Sequence, residues 1–179
     1  MKRPPVGLIF TLMAGLLAGC HHPSYHKERD IDDMILNAQA IDRQFVKCFS
    51  KGDLDGVMDL YWNSPDLIVY PPNALEARGW DQVKAGYAEL FRTMPGAKLE
   101  IHDAQYHVQG NVVLGNGLWT MTMPVPPDSK DPPQQLFGRF TNVIARQNGK
   151  WVYVIDHPST PMQQPAATQP TTQPATQPR

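Results

Sequence analysis

The chain has 179 residues, of which 41% are hydrophobic and 18% are charged, and its formal net charge is −1. This length suits one globular domain with extensions at its ends. The near-neutral charge gives no electrostatic reason to expect binding to nucleic acid or to an anionic membrane surface.

The first twenty residues have the pattern of a secretion signal. Lys2 and Arg3 precede an apolar run, residues 6–17, that is too short to span a bilayer. The Leu-Ala-Gly-Cys segment that ends at Cys20 resembles a bacterial lipobox, in which the cysteine thiol receives the lipid. We therefore predict that residues 1–19 are removed and that the lipid anchors the protein in the bacterial envelope, at the outer membrane or a periplasmic face. An ordinary secretion signal with an incidental cysteine is the alternative.

Residues 20–29 are polar and unpatterned, which indicates a tether between the lipidated Cys20 and a domain that begins at residue 30. Apolar residues then recur at three- and four-residue spacing, as in an amphipathic helix. They are Ile31, Met34, Ile35, Ala38, Ile41, Phe45, Val46 and Phe49. Gly52 is placed to end this helix, Asp53 to cap a second one, and Cys48 to lie in the core.

A short strand is predicted over residues 67–70, and a third helix between Gly79 and Pro95. The apolar period then changes from 3.6 to 2, which predicts strands over residues 98–109 and 112–123. Gly115 and Gly117 inside the second of these suggest a bulge or a sharp bend.

A proline-rich loop, residues 124–135, leads to the most informative segment of the chain, residues 136–161. Two β-branched and aromatic runs flank Asn148-Gly149, a dipeptide that tolerates the positive φ values of a type I′ turn, so we predict a β-hairpin. Three helices followed by four antiparallel strands predict one α+β domain over residues 30–161. The Thr-Gln-Pro repeats of residues 162–179 predict a disordered tail.

Several short motifs stand in a fixed order along the predicted domain. They are Gly52-Asp53-Leu54-Asp55-Gly56, Arg78-Gly79, Gly138-Arg139-Phe140-Thr141, Asn148-Gly149-Lys150-Trp151, and Asp156-His157 with Ser159. Together they resemble the nuclear transport factor 2-like superfamily, and within it the SnoaL-like domains. The resemblance implies a cystatin-like fold, in which a curved antiparallel sheet wraps around the N-terminal helices as a cone with an apolar pocket. It also implies a homodimer formed through the sheet.

Ketosteroid isomerases, which belong to this superfamily, use a carboxylate base with a Tyr and a protonated Asp as hydrogen-bond donors. The matching positions for the base and the Tyr are Tyr70 and Phe45, and residues 136–147 contain no acid. A phenol is a weak base near neutral pH because its ordinary pKa is about 10. We therefore expect no isomerase activity of that kind, and no pattern in the sequence indicates a cofactor.

The implied pocket has aromatic and polar candidate residues. The aromatic ones are Tyr61, Trp62, Tyr70, Trp80, Phe91 and Trp119, and the polar ones are Arg139, Thr141, Asp156 and His157. Arg139 has two open interpretations: an ion pair with Asp156 that braces the sheet, or recognition of a carboxylate-bearing ligand.

Asp156 and His157 are the candidates for catalysis, with His157 as a general base, although a surface role for this histidine is the alternative. His102 and His107 are five residues apart on a predicted strand and face opposite sides, so we predict no metal site there.

Three functions remain open at this point. The first is a membrane-anchored module that binds a small apolar or carboxylate-bearing ligand or acts in assembly. The second is an isomerase-, cyclase- or hydrolase-type enzyme that uses the pocket. The third is a structural envelope protein that works through its tail.

Overall fold

The computed structural model describes residues 23–125 and 128–161. The predicted signal peptide, Cys20 and the tail 162–179 therefore lie outside the described residues. Three helices precede or interrupt a six-stranded sheet. The helices are α1 (Pro23–Phe49), α2 (Leu54–Met58) and α3 (Trp80–Thr93), and the strands are β1 (Ile68–Val69), β2 (Ala77–Arg78), β3 (Lys98–Gln109), β4 (Val112–Thr122), β5 (Gln135–Gln147) and β6 (Lys150–Ser159).

The curved sheet has the strand order β2-β1-β6-β5-β4-β3. The short β1 runs parallel to β6, and the other neighbouring strands are antiparallel. Helix α1 lies along the inner face of the sheet and buries Ala38, Ile41 and Phe49 in the core. The predicted α+β class, with an antiparallel sheet wrapped around N-terminal helices, is confirmed.

The local signals at the turns are also confirmed. Gly52 has a φ of +67° in the turn that follows α1, and the Asp53 carboxylate accepts a hydrogen bond of 2.9 Å from the Gly56 N–H as the cap of α2. Asn148 and Gly149 both have positive φ values between β5 and β6, as a type I′ turn requires. Cys48 is buried, as predicted.

Three details differ from the prediction. Helix α1 begins at Pro23 rather than at Ile31, so most of the predicted tether is helical. Proline is tolerated in a first helical turn because its missing N–H would have no partner there. The two-residue strand β2 was not predicted, since so short a segment has no readable period.

The third difference concerns the predicted bulge at Gly115 and Gly117. Strand β4 keeps a regular register with β5 through both glycines, and the irregularity lies in β3 between His102 and Gln105. A side chain on either glycine would overlap an inward-facing side chain of β5, that of Asn142 or Phe140. Glycine is therefore required at both positions because a side chain there would have no room. The two glycines do not mark a bulge.

Among the helices within the described residues, we find none that is both long and apolar enough to cross a membrane.

Candidate functional site

A cavity of about 550 Å³ lies between α1, α3 and the inner face of the sheet. Its wall is largely apolar and includes six aromatic residues, Phe45, Phe49, Tyr87, Trp119, Phe140 and Tyr153. Exposed residues of the loop 71–76 and of α3, among them Glu76 and Glu89, form its rim. The volume and the apolar wall suit a small organic molecule.

Asp156 of β6 lines this cavity, and only 7% of its surface is exposed. The Tyr61 hydroxyl donates to Asp156 Oδ2 over 2.6 Å, and the hydroxyls of Tyr61 and Tyr87 are 2.7 Å apart. Because the Tyr61 proton is used by Asp156, Tyr87 is the donor in the second bond. The result is a chain of donors from Tyr87 through Tyr61 to the carboxylate.

Burial is the main cause that raises the pKa of Asp156, to about 6. The hydrogen bond from Tyr61 opposes this increase, and the negative charge of Asp42 adds to it. Burial also raises the pKa values of Tyr61 and Tyr87 above their ordinary value, so both phenols stay protonated as donors. Near neutral pH the site therefore has a carboxyl group that can change its protonation beside phenols that cannot.

A second buried acid, Asp42 of α1, also lines the cavity. Tyr153 donates to its Oδ1, and Tyr106 donates to its Oδ2 over 2.7 Å. Burial raises the pKa of Asp42, while the two phenol hydrogen bonds and the charge of Arg43 oppose the increase. Two buried carboxylates thus share one cavity, and each is held by tyrosine.

A β-bulge brings Tyr153 and Asp156 to the same face of β6. Val143 pairs with Ile155, but Ile144 pairs with Tyr153, which leaves Val154 as the extra residue. Side chains three positions apart on a regular strand point to opposite faces, and one extra residue reverses that relation. Backbone bonds fix the segment, because the Tyr70 N–H donates to the Asp156 carbonyl and the Tyr153 N–H donates to the Leu60 carbonyl, both over 2.8 Å.

Asn142 lies directly opposite Asp156 on β5 and also lines the cavity. It is only 2% exposed, and its Oδ1 is the single buried side-chain oxygen or nitrogen without a hydrogen-bond partner in the part of the chain that the structure describes. The atom lies above Gly115, where a larger residue would displace it. The oxygen is therefore packed against β4, on the side of β5 that lies away from Asp156, and it is not open to the cavity.

The aromatic candidates from the sequence divide between the cavity and its surroundings. Trp119 lines the cavity, and Tyr61 lies behind the wall as the partner of Asp156. Phe91 packs against Phe49 with ring centroids 5.3 Å apart, and the Trp80 indole donates to the Met58 carbonyl over 3.3 Å, so both have structural roles outside the lining. Trp62 also lies outside the lining.

The candidates on the outer face of the sheet do not reach the cavity. Arg139 and Thr141 are exposed, and Arg139 donates to Ser159 Oγ over 3.4 Å. Because Asn142 opposite Asp156 faces inward, Arg139 three positions earlier faces outward. The expected ion pair between Arg139 and Asp156 is therefore wrong, and so is the place of Arg139 and Thr141 in the pocket wall.

Tyr70 and His157 share this outer face. Their ring centroids are 5.5 Å apart, and both line a more open depression of about 360 Å³ at the sheet edge, together with Pro72 and Leu75. His157 alternates with the inward-facing Asp156, so it cannot act on a molecule in the cavity. Of the two candidate catalytic residues, only Asp156 has access to it.

Four residues of the site were not predicted: Asp42, Tyr87, Asn142 and Tyr153. Asp42 could have been recognised from the sequence, because it lies one turn after Ala38 on the apolar stripe of α1. A charged residue on a buried helix face indicates a functional or paired group. Asn142 also follows the inward-facing Phe140 by two residues. The position of Tyr153 depends on the bulge at Val154, and no sequence pattern marks that bulge.

A metal ion has no evident position here. Within residues 23–125 and 128–161, no group of three or more His, Cys, Asp or Glu side chains is arranged to hold one. His102 Nε2 is instead 3.1 Å from Thr120 Oγ1.

Comparisons with known proteins agree on the architecture. The model of the SnoaL-like domain matches residues 43–154. The chain also resembles a nuclear transport factor 2-like protein with a cystatin-like fold from Novosphingobium aromaticivorans, with a TM-score of 0.68 and 13% identity, over 83% of this chain and 96% of that one. No curated protein sequence matches the chain.

Two further structures give the same picture. A proposed dehydratase of the nuclear transport factor 2-like family from Streptomyces avermitilis has a TM-score of 0.65 and 17% identity, over 74% of this chain and 99% of that one. A nuclear transport factor 2-like superfamily protein from Salmonella enterica has a TM-score of 0.59 and 21% identity, over 81% of this chain and 98% of that one. At these identities the likeness concerns the fold alone.

Proposed function

The chain belongs to the SnoaL-like domain family, as its sequence motifs predicted, and on that premise we propose that it binds a small, largely apolar molecule in the cavity between α1, α3 and the sheet. The observation that supports this most is the cavity itself, about 550 Å³ with a largely apolar wall. Its polar groups are gathered at one place, around Asp156 and Asn142, which would orient a ligand that carries one polar end.

A carboxylate-bearing ligand, one of the options from the sequence, has no support in the site. That option depended on Arg139, which is exposed on the outer face of the sheet. The ionisable carboxyl groups that line the cavity are those of Asp42, Glu76, Glu89 and Asp156. Glu76 and Glu89 are exposed on the rim and are paired with Arg78 and Arg92, so it is the buried Asp42 and Asp156 that would repel a ligand carboxylate.

Binding can be tested with N-phenyl-1-naphthylamine, an uncharged dye that fluoresces in apolar sites. Leu136 lines the cavity and the adjacent Phe137 is exposed on the opposite face, so Leu136→Trp and Phe137→Trp form a matched pair. Filling the cavity should weaken dye binding at least about fivefold, whereas the outer substitution should leave it unchanged. Absence of saturable binding, or equal effects of the two substitutions, would contradict the proposal.

Asp156 supports an enzyme as the second candidate. A carboxyl group with a pKa of about 6, in an apolar cavity and beside two phenol donors, has the properties of a general acid–base. Isomerisation, cyclisation and hydrolysis could each use such a group, and so could the dehydration suggested for the Streptomyces neighbour.

This candidate predicts turnover of at least one member of a library of small enones, lactones and esters. Asp156→Asn should lower that turnover at least about a hundredfold, because general acid–base groups commonly contribute that much. His157→Gln is the matched control on the outer face and should retain full activity. Turnover that survives in Asp156→Asn would exclude this mechanism.

We retain the lipid anchor on Cys20 as part of the proposal, on the basis of the lipobox pattern. It predicts that Cys20→Ser releases the protein from the membrane fraction, whereas Cys48→Ser does not. Equal membrane association of both variants would contradict it.

A further inference from the structure

We propose that the outer depression beside Tyr70 and His157 is a docking site for the chain's own C-terminal segment, residues 162–165, which follow directly after the described part of the chain. The depression is separate from the site proposed above, so the docking does not depend on what the cavity binds. Three features support it: the walls of the depression, the place where the described chain ends, and the sequence that comes next.

The depression forms where β1 and β6 separate. The Tyr70 N–H still donates to the Asp156 carbonyl over 2.8 Å. Pro71 and Pro72 follow on one strand and Pro158 on the other, and a proline has no N–H with which to continue the pairing. The two segments therefore diverge, and a space of about 360 Å³ stays open between them.

The walls of this space are apolar and carry aromatic rings. The rings of Tyr70 and His157 are 5.5 Å apart and meet edge to face, and Pro72 and Leu75 lie beside them. Tyr70 is 36% exposed and Leu75 is 96% exposed, so large apolar surfaces are left uncovered here. Grooves lined by aromatic rings bind proline-containing segments in the polyproline II conformation, which loses little entropy on binding.

The chain itself leads to this space. Ser159 and Thr160 line the depression at the end of β6, and the described residues end at Pro161. Pro161 has a fixed φ near −65°, and it also restricts Thr160 to extended conformations. Residue 162 is therefore only two positions beyond a lining residue, on a chain that leaves β6 in an extended form.

The next residues have a pattern that fits the walls. They are Met162, Gln163, Gln164 and Pro165. A polyproline II helix has three residues per turn, so Met162 and Pro165 would lie on the same side, with both glutamines directed elsewhere. Methionine fills irregular apolar spaces well. Residues 168–179 contain no large apolar side chain, which is why the docking is assigned to residues 162–165.

Attachment favours this segment over a separate peptide. A proline-rich segment of another protein, or of a second copy, would meet the same walls. The chain's own segment is held beside them by a link of one residue, Pro161, which gives it an effective concentration of about millimolar or more. A contact that would be weak between separate molecules is then largely occupied.

Nuclear magnetic resonance of the full chain tests the docking without any substitution. The backbone order parameters of Gln163 and Gln164 should exceed about 0.7, whereas those of residues 172–178 should be below about 0.6. A nuclear Overhauser contact should join the Met162 methyl group to the ring of Tyr70 or His157. Order parameters below about 0.6 from residue 162 onward, with no such contact, would overturn the proposal.

Variants separate docking from the stiffness that any residue close to a strand has. Met162→Ser combined with Pro165→Ser should lower the order parameters of both glutamines below about 0.6. Pro174→Ser combined with Pro178→Ser is the matched control in the same tail and should not change them. Equal effects of the two double variants would overturn the proposal.

Two further measurements address the wall and the occupant. Leu75→Ser changes a side chain that is 96% exposed, so the fold should not depend on it, and it should weaken the contact of Met162 with the rings. An unchanged contact in this variant would count against the docking site. If the Met162 contact appears between a carbon-13-labelled and an unlabelled copy, the occupant is the tail of a second copy, and the proposal is wrong.

Discussion

At the scale of single residues, the site depends on hydrogen bonds between buried acids and tyrosines. Asp42 and Asp156 are 4% and 7% exposed, and each accepts from at least one phenol. Removing Tyr61 from this arrangement should raise the pKa of Asp156 above its value of about 6, since the bond from Tyr61 stabilises the charged form.

Carbon-13 NMR of the labelled carboxyl group in Tyr61→Phe would measure that pKa directly. Tyr70→Phe, a phenol at the exposed sheet edge, is the matched control and should leave the Asp156 titration unchanged. A titration of Asp156 that is identical in Tyr61→Phe and in wild type would exclude this role of the bond.

Asp156 should also make the stability of the protein depend on pH. Its pKa is about 6 in the folded protein against an ordinary value of 3.8, so the folded state binds this proton more tightly than the unfolded chain. The contribution of Asp156 to the free energy of unfolding is therefore fully present below its ordinary pKa. It is lost as the pH rises through about 6, and the whole loss is about 3 kcal/mol. The raised pKa of Asp42 acts in the same direction.

Urea denaturation of wild type and Asp156→Asn at about pH 4 and about pH 7.5 isolates this contribution, because the other carboxyl groups are common to both proteins. The variant should gain stability relative to wild type as the pH rises. A difference between the two proteins that stays constant with pH would contradict the buried, ionisable Asp156.

The same scale shows the limit of sequence-based prediction. Trp119 and Asp156, which the family resemblance put forward as pocket residues, both line the cavity. Arg139 was put forward in the same way, but it lies three positions before the inward-facing Asn142 on β5 and therefore faces outward. The face of a strand cannot be fixed from sequence where a bulge such as that at Val154 changes the register.

At the scale of elements, β4 and β5 fit together through glycines that leave space for inward side chains. A methyl group on Gly115 would overlap Asn142, whereas one on Gly86 of α3 meets no atom within 4 Å. We expect Gly115→Ala to destabilise the protein by about 1–3 kcal/mol through overpacking, and Gly86→Ala to be neutral or stabilising by up to about 1 kcal/mol.

Chemical denaturation of both variants would measure these changes in the free energy of unfolding. Equal effects of Gly115→Ala and Gly86→Ala would show that the space above Gly115 is not required for packing Asn142.

Most helices and strands could be predicted, because their apolar periods are long and their caps and turns are explicit, as at Asp53 and Asn148-Gly149. The order of strands in the sheet could not be predicted from periods. The parallel contact of β1 with β6 brings residues far apart in sequence together, and it places Tyr61 beside Tyr153. The curved sheet around the N-terminal helices was instead implied by the family resemblance.

At the scale of the whole molecule, the outer face of the sheet has exposed apolar side chains. Leu118, Phe137 and Ile155 are 49%, 58% and 37% exposed on β4, β5 and β6. Because large exposed apolar residues on one face mark interaction sites, we expect the homodimer predicted from the family to form through this face.

Light scattering coupled to size-exclusion chromatography should show a dimer that becomes monomeric in Phe137→Glu, since a buried charge opposes association. Leu75→Glu, at a 96% exposed loop position away from this face, is the control and should remain dimeric. A monomeric wild-type protein would contradict the expectation.

The binding role of the cavity can be tested most directly by a crystal structure of the protein with N-phenyl-1-naphthylamine. We predict density for its rings inside the cavity, against Phe45, Trp119 and Phe140. A compound bound only in the outer depression beside Tyr70 and His157, with the cavity empty, would contradict the proposal.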